Sequence, residues 1–209
     1  MVASSMVAPL CAFSETRAQV VDYLVAQPND VLIAEARKLI SADSLSERAR
    51  DCLLLVVKRY YEDPTDKGLR RDATIALRNL GNLRMTHLID YREAFHNLML
   101  AKQIAEEDGN DYELAYICLS LSNLYNFNAG GNDSLGQQSL NYQKEAYRLS
   151  LATHNEDVMN TVVLNLAVTA FTDQDFKPYL TIWEDFLAHK FAQENNIAKI
   201  SKMISKAAL

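Results

Sequence analysis

Apolar side chains recur at steps of three and four along most of this chain, and this spacing predicts helices. The clearest stripe runs through 91–105, and similar stripes run through 114–125 and 176–187. Side chains at this spacing fall on one face of a helix, whereas a half-buried strand needs strict alternation. Such alternation is absent between the stripes, so the chain is predicted to be all-α.

Polar segments with turn formers and helix N-cap residues interrupt the stripes. The predicted helices span 16–26, 30–42, 45–62, 67–86, 89–107, 112–127, 137–153, 156–171, 175–192 and 196–207. Most connections are short, which makes consecutive helices antiparallel. The exception is 126–136, which holds three of the six glycines and is predicted to be a functional projection or a tolerated insertion.

A leucine followed by a small residue repeats at Leu80-Gly81, Leu121-Ser122 and Leu166-Ala167, with offsets of 41 and 45 residues. Where two helices of a hairpin cross closely, only a small side chain fits between them. The matching small residues predicted on the second helices are Ala94, Ala101 and Ala146.

These motifs resemble the tetratricopeptide repeat (TPR), in the degenerate form found in bacterial sensor proteins, and the likeness is clearest over 70–192. The repeats are longer than the usual length of about 34 residues. The resemblance implies a single array over 15–209, wound as a right-handed superhelix of antiparallel helix pairs. Its first helices would line a concave groove that binds a protein or peptide.

The resemblance also implies which side chains face that groove. They are Arg78, Asn82, Asn123, Asn126 and Asn165. An asparagine amide both donates and accepts, so a row of them can pair with the backbone of a bound peptide. Hydrogen bonding between adjacent helices is the competing explanation for the same residues.

No nucleotide-binding, hydrolase or metalloprotease motif occurs, and the four histidines are far apart. The sequence therefore predicts neither an enzyme nor a bound cofactor or metal. We expect a non-catalytic binding or sensor module, part of a signalling or regulatory protein. Two alternatives stay open. One is an enzyme with a pocket under 126–136, and the other is a self-association module, such as a homodimer, formed through exposed Phe176, Tyr179, Trp183 and Phe186.

The net charge of -6 gives the chain no electrostatic footprint for nucleic acid. Its basic clusters, 58–59 and 67–71, have acidic neighbours and are predicted to form ion pairs between helices. No segment has the roughly 20 apolar residues that a membrane-spanning helix needs. Residues 1–14 are an apolar N-terminal arm or the remnant of a signal peptide. The second reading places the protein in the periplasm, and the first in the cytoplasm.

Overall fold

The computed structural model describes residues 17–42, 46–173 and 176–188. These residues form nine α-helices and one 3-10 turn, with no strand among them, so the all-α prediction is confirmed. The helices are α1 Arg17–Ala26, α2 Asn29–Ser41, α3 Ser46–Glu62, α4 Lys67–Thr86, α5 Tyr91–Glu107, α6 Asp111–Ala129, α7 Asp133–Ala152, α8 Glu156–Asp173 and α9 Leu180–Ala188. The predicted helix at 196–207 and the arm at 1–14 lie outside the described residues.

Polar side chains begin several helices as the sequence predicts. Asp66 accepts a hydrogen bond from the backbone N–H of Leu69 at 2.8 Å, at the start of α4. Asp90 and Asn110 cap α5 and α6 in the same way. Each cap supplies an acceptor for a backbone N–H that has no partner inside the helix.

The predicted long connection at 126–136 is wrong. α6 continues to Ala129, and Gly130 ends it in the left-handed conformation, with a φ of 47°. Asn132 then begins α7, because its side chain accepts from the backbone N–H of Ser134 at 3.0 Å. The connection is therefore only 130–132, and Gly136 lies inside α7. The glycines and polar residues of this stretch occupy helix ends rather than a loop.

The last described helix also begins later than predicted. Residues 177–179 form a 3-10 turn before α9 starts at Leu180. Pro178 accounts for this, since it has no backbone N–H to donate and is tolerated only in the first turn of a helix.

Each helix from α2 to α7 packs against the next one in the chain. In addition, α2 contacts α4, α4 contacts α6, and α6 contacts α8. We call these four helices the even-helix layer; α3, α5 and α7 pack against it. Because consecutive helices are joined by short turns, the members of the even-helix layer run in the same direction.

The Leu-small pairs lie where neighbouring helices approach closely. Leu80 and Gly81 are buried, and a Cβ on Gly81 would lie only 2.7 Å from Leu98 Cγ on α5. Ser122 on α6 meets Ser139 on α7, with 3.0 Å between their hydroxyl oxygens. The predicted role of small residues at helix crossings is confirmed at both places.

The burial of the other members agrees with this packing. Leu166 and Ala167 of the third pair are buried in α8, and the partner residues Ala94, Ala101 and Ala146 are fully buried. The close packing at Gly81 and Ser122 explains why a small residue follows the leucine in the first two pairs.

Candidate binding groove

A groove of about 600 Å³ crosses three helices of the even-helix layer. The residues that line it are Met85 and Thr86 on α4, Asn123, Asn126 and Phe127 on α6, and Asn165, Val168 and Thr169 on α8. Met85 and Thr86 are the last two residues of α4, and Phe127 lies two residues before the end of α6. The groove therefore includes the last turns of α4 and α6.

Amide side chains supply the polar part of the groove. Asn123 and Asn126 are half-buried, and within the described part of the chain their side chains form no hydrogen bond. Asn165 donates from Nδ2 to the backbone oxygen of Thr161 at 2.9 Å, which leaves its side-chain oxygen as an acceptor. These asparagines do not bridge adjacent helices, so the competing explanation for them fails. Their free donors and acceptors are available to a bound main chain.

The wall at α8 is fixed by a buried polar pair. Thr169 donates to the backbone oxygen of Asn165 at 3.1 Å, and its hydroxyl accepts from Nε2 of Gln143 on α7 at 3.2 Å. Gln143 is 2% exposed. Because Thr169 is held by both hydrogen bonds, it keeps one orientation in this wall of the groove.

Two apolar side chains stand at the surface of the groove. Phe127 is 63% exposed and Val168 is 64% exposed, whereas Met85 beside them is buried. Both therefore present apolar surface to solvent at the same concave site. The groove thus combines apolar contacts with amide hydrogen-bonding groups.

Arg78 does not line this groove, although the resemblance implies that it faces one. Its Nε donates to Glu113 at 2.9 Å, and its guanidinium lies 5.2 Å from the ring centre of Tyr116. The side chain of Glu113 is only 5% exposed. Arg78 therefore serves as the counter-ion of a buried carboxylate on the neighbouring helix.

Asn82, the fifth implied residue, lies one turn before Thr86 on α4, and its backbone oxygen accepts the Thr86 hydroxyl at 2.9 Å. The structure thus brings Asn123, Asn126 and Asn165 together, with Asn82 one turn away and Arg78 withdrawn. Sequence reasoning missed Phe127 and Val168. Val168 follows its Leu-small pair as Asn123 follows Ser122, so the repeat alignment could have found it.

Of the basic clusters, Arg70 forms the predicted ion pairs between helices, whereas Lys58 pairs with Glu62 in its own helix and Arg71 with the adjacent Asp72. Arg70 on α4 donates to Asp108 and to Glu107, each at 2.8 Å. This guanidinium lowers the pKa of the Glu107 carboxyl below its usual range. Arg59 on α3 donates to the backbone oxygen of Val25 at 2.8 Å. Arg59 and Arg70 thus tie helices together.

The structure bears on both alternatives, the enzyme with a pocket under 126–136 and the self-association module. The loop that would cover a catalytic pocket is absent, since 130–132 is a short turn. Tyr179, Trp183 and Phe186 are buried, with Trp183 and Phe186 fully so, and Phe176 is half-buried. These aromatics form core packing and do not offer an exposed surface for a second copy.

The cysteines and histidines of the described residues form no metal-binding cluster of three or more ligands with acidic side chains. Cys52 and Cys118 are buried, and burial raises their thiol pKa values to about 11 and about 12. Such thiols stay protonated at neutral pH and are poor nucleophiles. Cys11 and His189 lie outside the described residues.

No protein-family model matches the chain, and no curated protein matches its sequence. None of the helices within the described ranges has the length and apolar character needed to cross a membrane.

Proposed function

We propose that this protein is a non-catalytic binding module that holds a segment of a partner protein in the groove across α4, α6 and α8. The observation that carries the proposal is the set of half-buried Asn123 and Asn126 amides, which have no hydrogen-bond partner among the described residues. Neither amide is committed to the backbone or to another described side chain, so both can donate to and accept from an external main chain in this concave site.

The resemblance to degenerate sensor repeats extends this proposal to a TPR-like superhelix within a signalling or regulatory protein. The shape of the groove supports this proposal. The groove crosses three parallel helices and therefore suits an elongated ligand better than a compact one. The absence of a covering loop at 130–132 leaves the groove accessible from the side of α6.

The test uses phage-displayed random linear peptides selected against the immobilised protein. Enriched peptides are then synthesised, and their affinities are measured by fluorescence anisotropy. Substituting Asn123→Ala together with Asn126→Ala removes two amides, each worth about 0.5–1.5 kcal/mol as a hydrogen bond. We expect affinity to fall by about tenfold or more.

Asn128→Ala is the matched control, because Asn128 lies on the same helix, does not line the groove, and donates to its own backbone at Leu124. This variant should retain the wild-type affinity. If no peptide is enriched, or if the double substitution leaves every affinity unchanged, the groove is not the binding site.

A further inference from the structure

We infer that the segment held in this groove is uncharged where it crosses α4, α6 and α8, is anchored by an apolar side chain against Phe127 and Val168, and excludes acidic residues. This inference rests on the proposed function and specifies the chemistry of the partner.

The lining of the groove offers no partner for a charged group. All eight lining residues are uncharged, and they are amides, hydroxyls and apolar side chains. The nearby arginines of α4 are committed elsewhere, since Arg78 pairs with Glu113 and Arg84 pairs with Glu93 at 3.1 Å. A charged ligand group would lose hydration on entering and gain no counter-ion among the lining residues.

The electrostatic surroundings of the groove disfavour acidic groups more than basic ones. The groove includes the last turns of α4 and α6, at Thr86 and Phe127, where backbone carbonyls give a partial negative charge. The net charge of the chain is -6. Both effects repel a carboxylate, whereas they attract an ammonium group and so offset part of its desolvation cost. An acidic residue in the segment is therefore disfavoured most, and a free C-terminal carboxylate is not recognised here.

The apolar anchor of the segment contacts two exposed apolar residues. Phe127 and Val168 expose most of their side chains to solvent while lining the same site. An apolar ligand side chain that covers this surface removes apolar area from water on both partners, which is favourable. An uncharged polar side chain gains less, because it must give up hydrogen bonds to water. Asparagine amides beside them can pair with the main chain on either side of the anchor.

The width of the site fixes the length of the segment. Packed helices lie about 8–10 Å apart, so three of them span roughly 20 Å between the outer axes. An extended chain rises about 3.3 Å per residue, so about six residues cross the groove.

The experiment begins with the peptides enriched from the displayed library. We expect a core of about six uncharged residues with at least one large apolar side chain. A central polar position of a selected peptide is then changed to Gln, Lys or Glu in synthetic versions. Affinity should be retained with Gln, fall with Lys, and fall most with Glu, with Glu about fivefold or more below Lys.

Two variants of the protein test the cause. Phe127→Ala should weaken peptides with the apolar anchor by about tenfold, and it should weaken peptides with alanine at that position much less. Thr86→Lys places a cation at an exposed lining position, so it should selectively restore the affinity of the Glu peptide without improving the Gln peptide. Circular dichroism of each variant checks that its helices are intact.

The outcomes separate the two proposals. If selected peptides carry a required acidic residue and still depend on Asn123 and Asn126, this inference is overturned while the proposed function stands. Equal loss with Lys and Glu, or no rescue by Thr86→Lys, overturns the electrostatic argument. If no peptide is enriched at all, both the proposed function and this inference fall.

Discussion

Replacing Gly81 with alanine should destabilise the protein, although alanine is normally the better helix residue. Gly81 lies inside α4, where α4 crosses α5. A Cβ at this position would lie 2.7 Å from Leu98 Cγ, 2.8 Å from Leu98 Cδ2 and 3.2 Å from the backbone oxygen of Ala94. Leu98 is fully buried, so it cannot swing into solvent to make room.

The magnitude follows from two opposing effects. Forcing an extra carbon into a packed core costs about 1–3 kcal/mol. Alanine in place of glycine within a helix gains up to about 1 kcal/mol. The contact involves the branch point of Leu98 and a backbone oxygen, so the steric cost should dominate. We expect a net loss of about 1–2 kcal/mol in the free energy of unfolding.

Gly136→Ala provides the matched control. Gly136 lies in α7, and no heavy atom beyond its own helical backbone comes within 4 Å of a Cβ built there. This substitution should therefore stabilise the protein by about 0.5–1 kcal/mol. Because the helix preference contributes with the same sign to both variants, the difference between them mainly reports the steric cost at Gly81.

Urea unfolding followed by far-ultraviolet circular dichroism measures both variants. In a Leu98→Ala background the steric cost should disappear, because the contacted atoms are gone and the new methyl group partly fills the cavity. If Gly81→Ala is as stable as Gly136→Ala in the wild-type background, the close approach of α4 and α5 is not a constraint and the reasoning is refuted.

Three further predictions address other buried groups. Arg78→Ala leaves the Glu113 carboxylate buried without its counter-ion, so the free energy of unfolding should fall by about 3–5 kcal/mol. Combining Arg78→Met with Glu113→Leu removes both charges and should recover most of that free energy, as measured by urea unfolding. The thiols of Cys52 and Cys118, in a variant lacking the N-terminal cysteine, should resist iodoacetamide at about pH 8 until the protein unfolds. Burial raises the pKa values of these thiols from 9.0 to about 11 and about 12 in the folded protein. The stability that the protonated thiols contribute is therefore complete below about pH 9 and is lost as the pH rises toward 11 and 12. Urea midpoints measured across this pH range test this expectation. Trp183, the only tryptophan, is fully buried, so its fluorescence should be blue-shifted. Trp183→Asp should disrupt the packing of α9 and lower the urea midpoint. It should not dissociate a dimer in sedimentation experiments.

Much of the fold could be predicted from local sequence. The spacing of apolar residues predicted helices because the helix period decides which side chains share a face. Asp66 and Asn110 marked helix starts because a short polar side chain can satisfy a backbone donor three residues ahead. Gly81 and Ser122 predicted close crossings because side-chain size alone limits how near two helices can come.

The stretch 126–136 shows where local composition misleads. Its glycines and polar residues suggested a loop, yet Asn126 and Phe127 remain helical within α6, and Ser134 through Gly136 begin α7. Glycine ends one helix here at 130 but is tolerated within the next at 136, because α7 packs along α6. Tertiary packing outweighed a local preference of about 1 kcal/mol.

The sequence by itself determined the helices, their caps and the small residues at their crossings, because each depends on neighbours within a few positions along the chain. Only the tertiary structure decided the groove and its charge. Arg78 is 35 positions from Glu113, so its withdrawal into a buried ion pair depends on how α4 meets α6. Likewise, Asn126 and Val168 share one surface only because α6 and α8 lie side by side. Helix formation depends on local periodicity, whereas a binding surface depends on which faces of distant helices pack together.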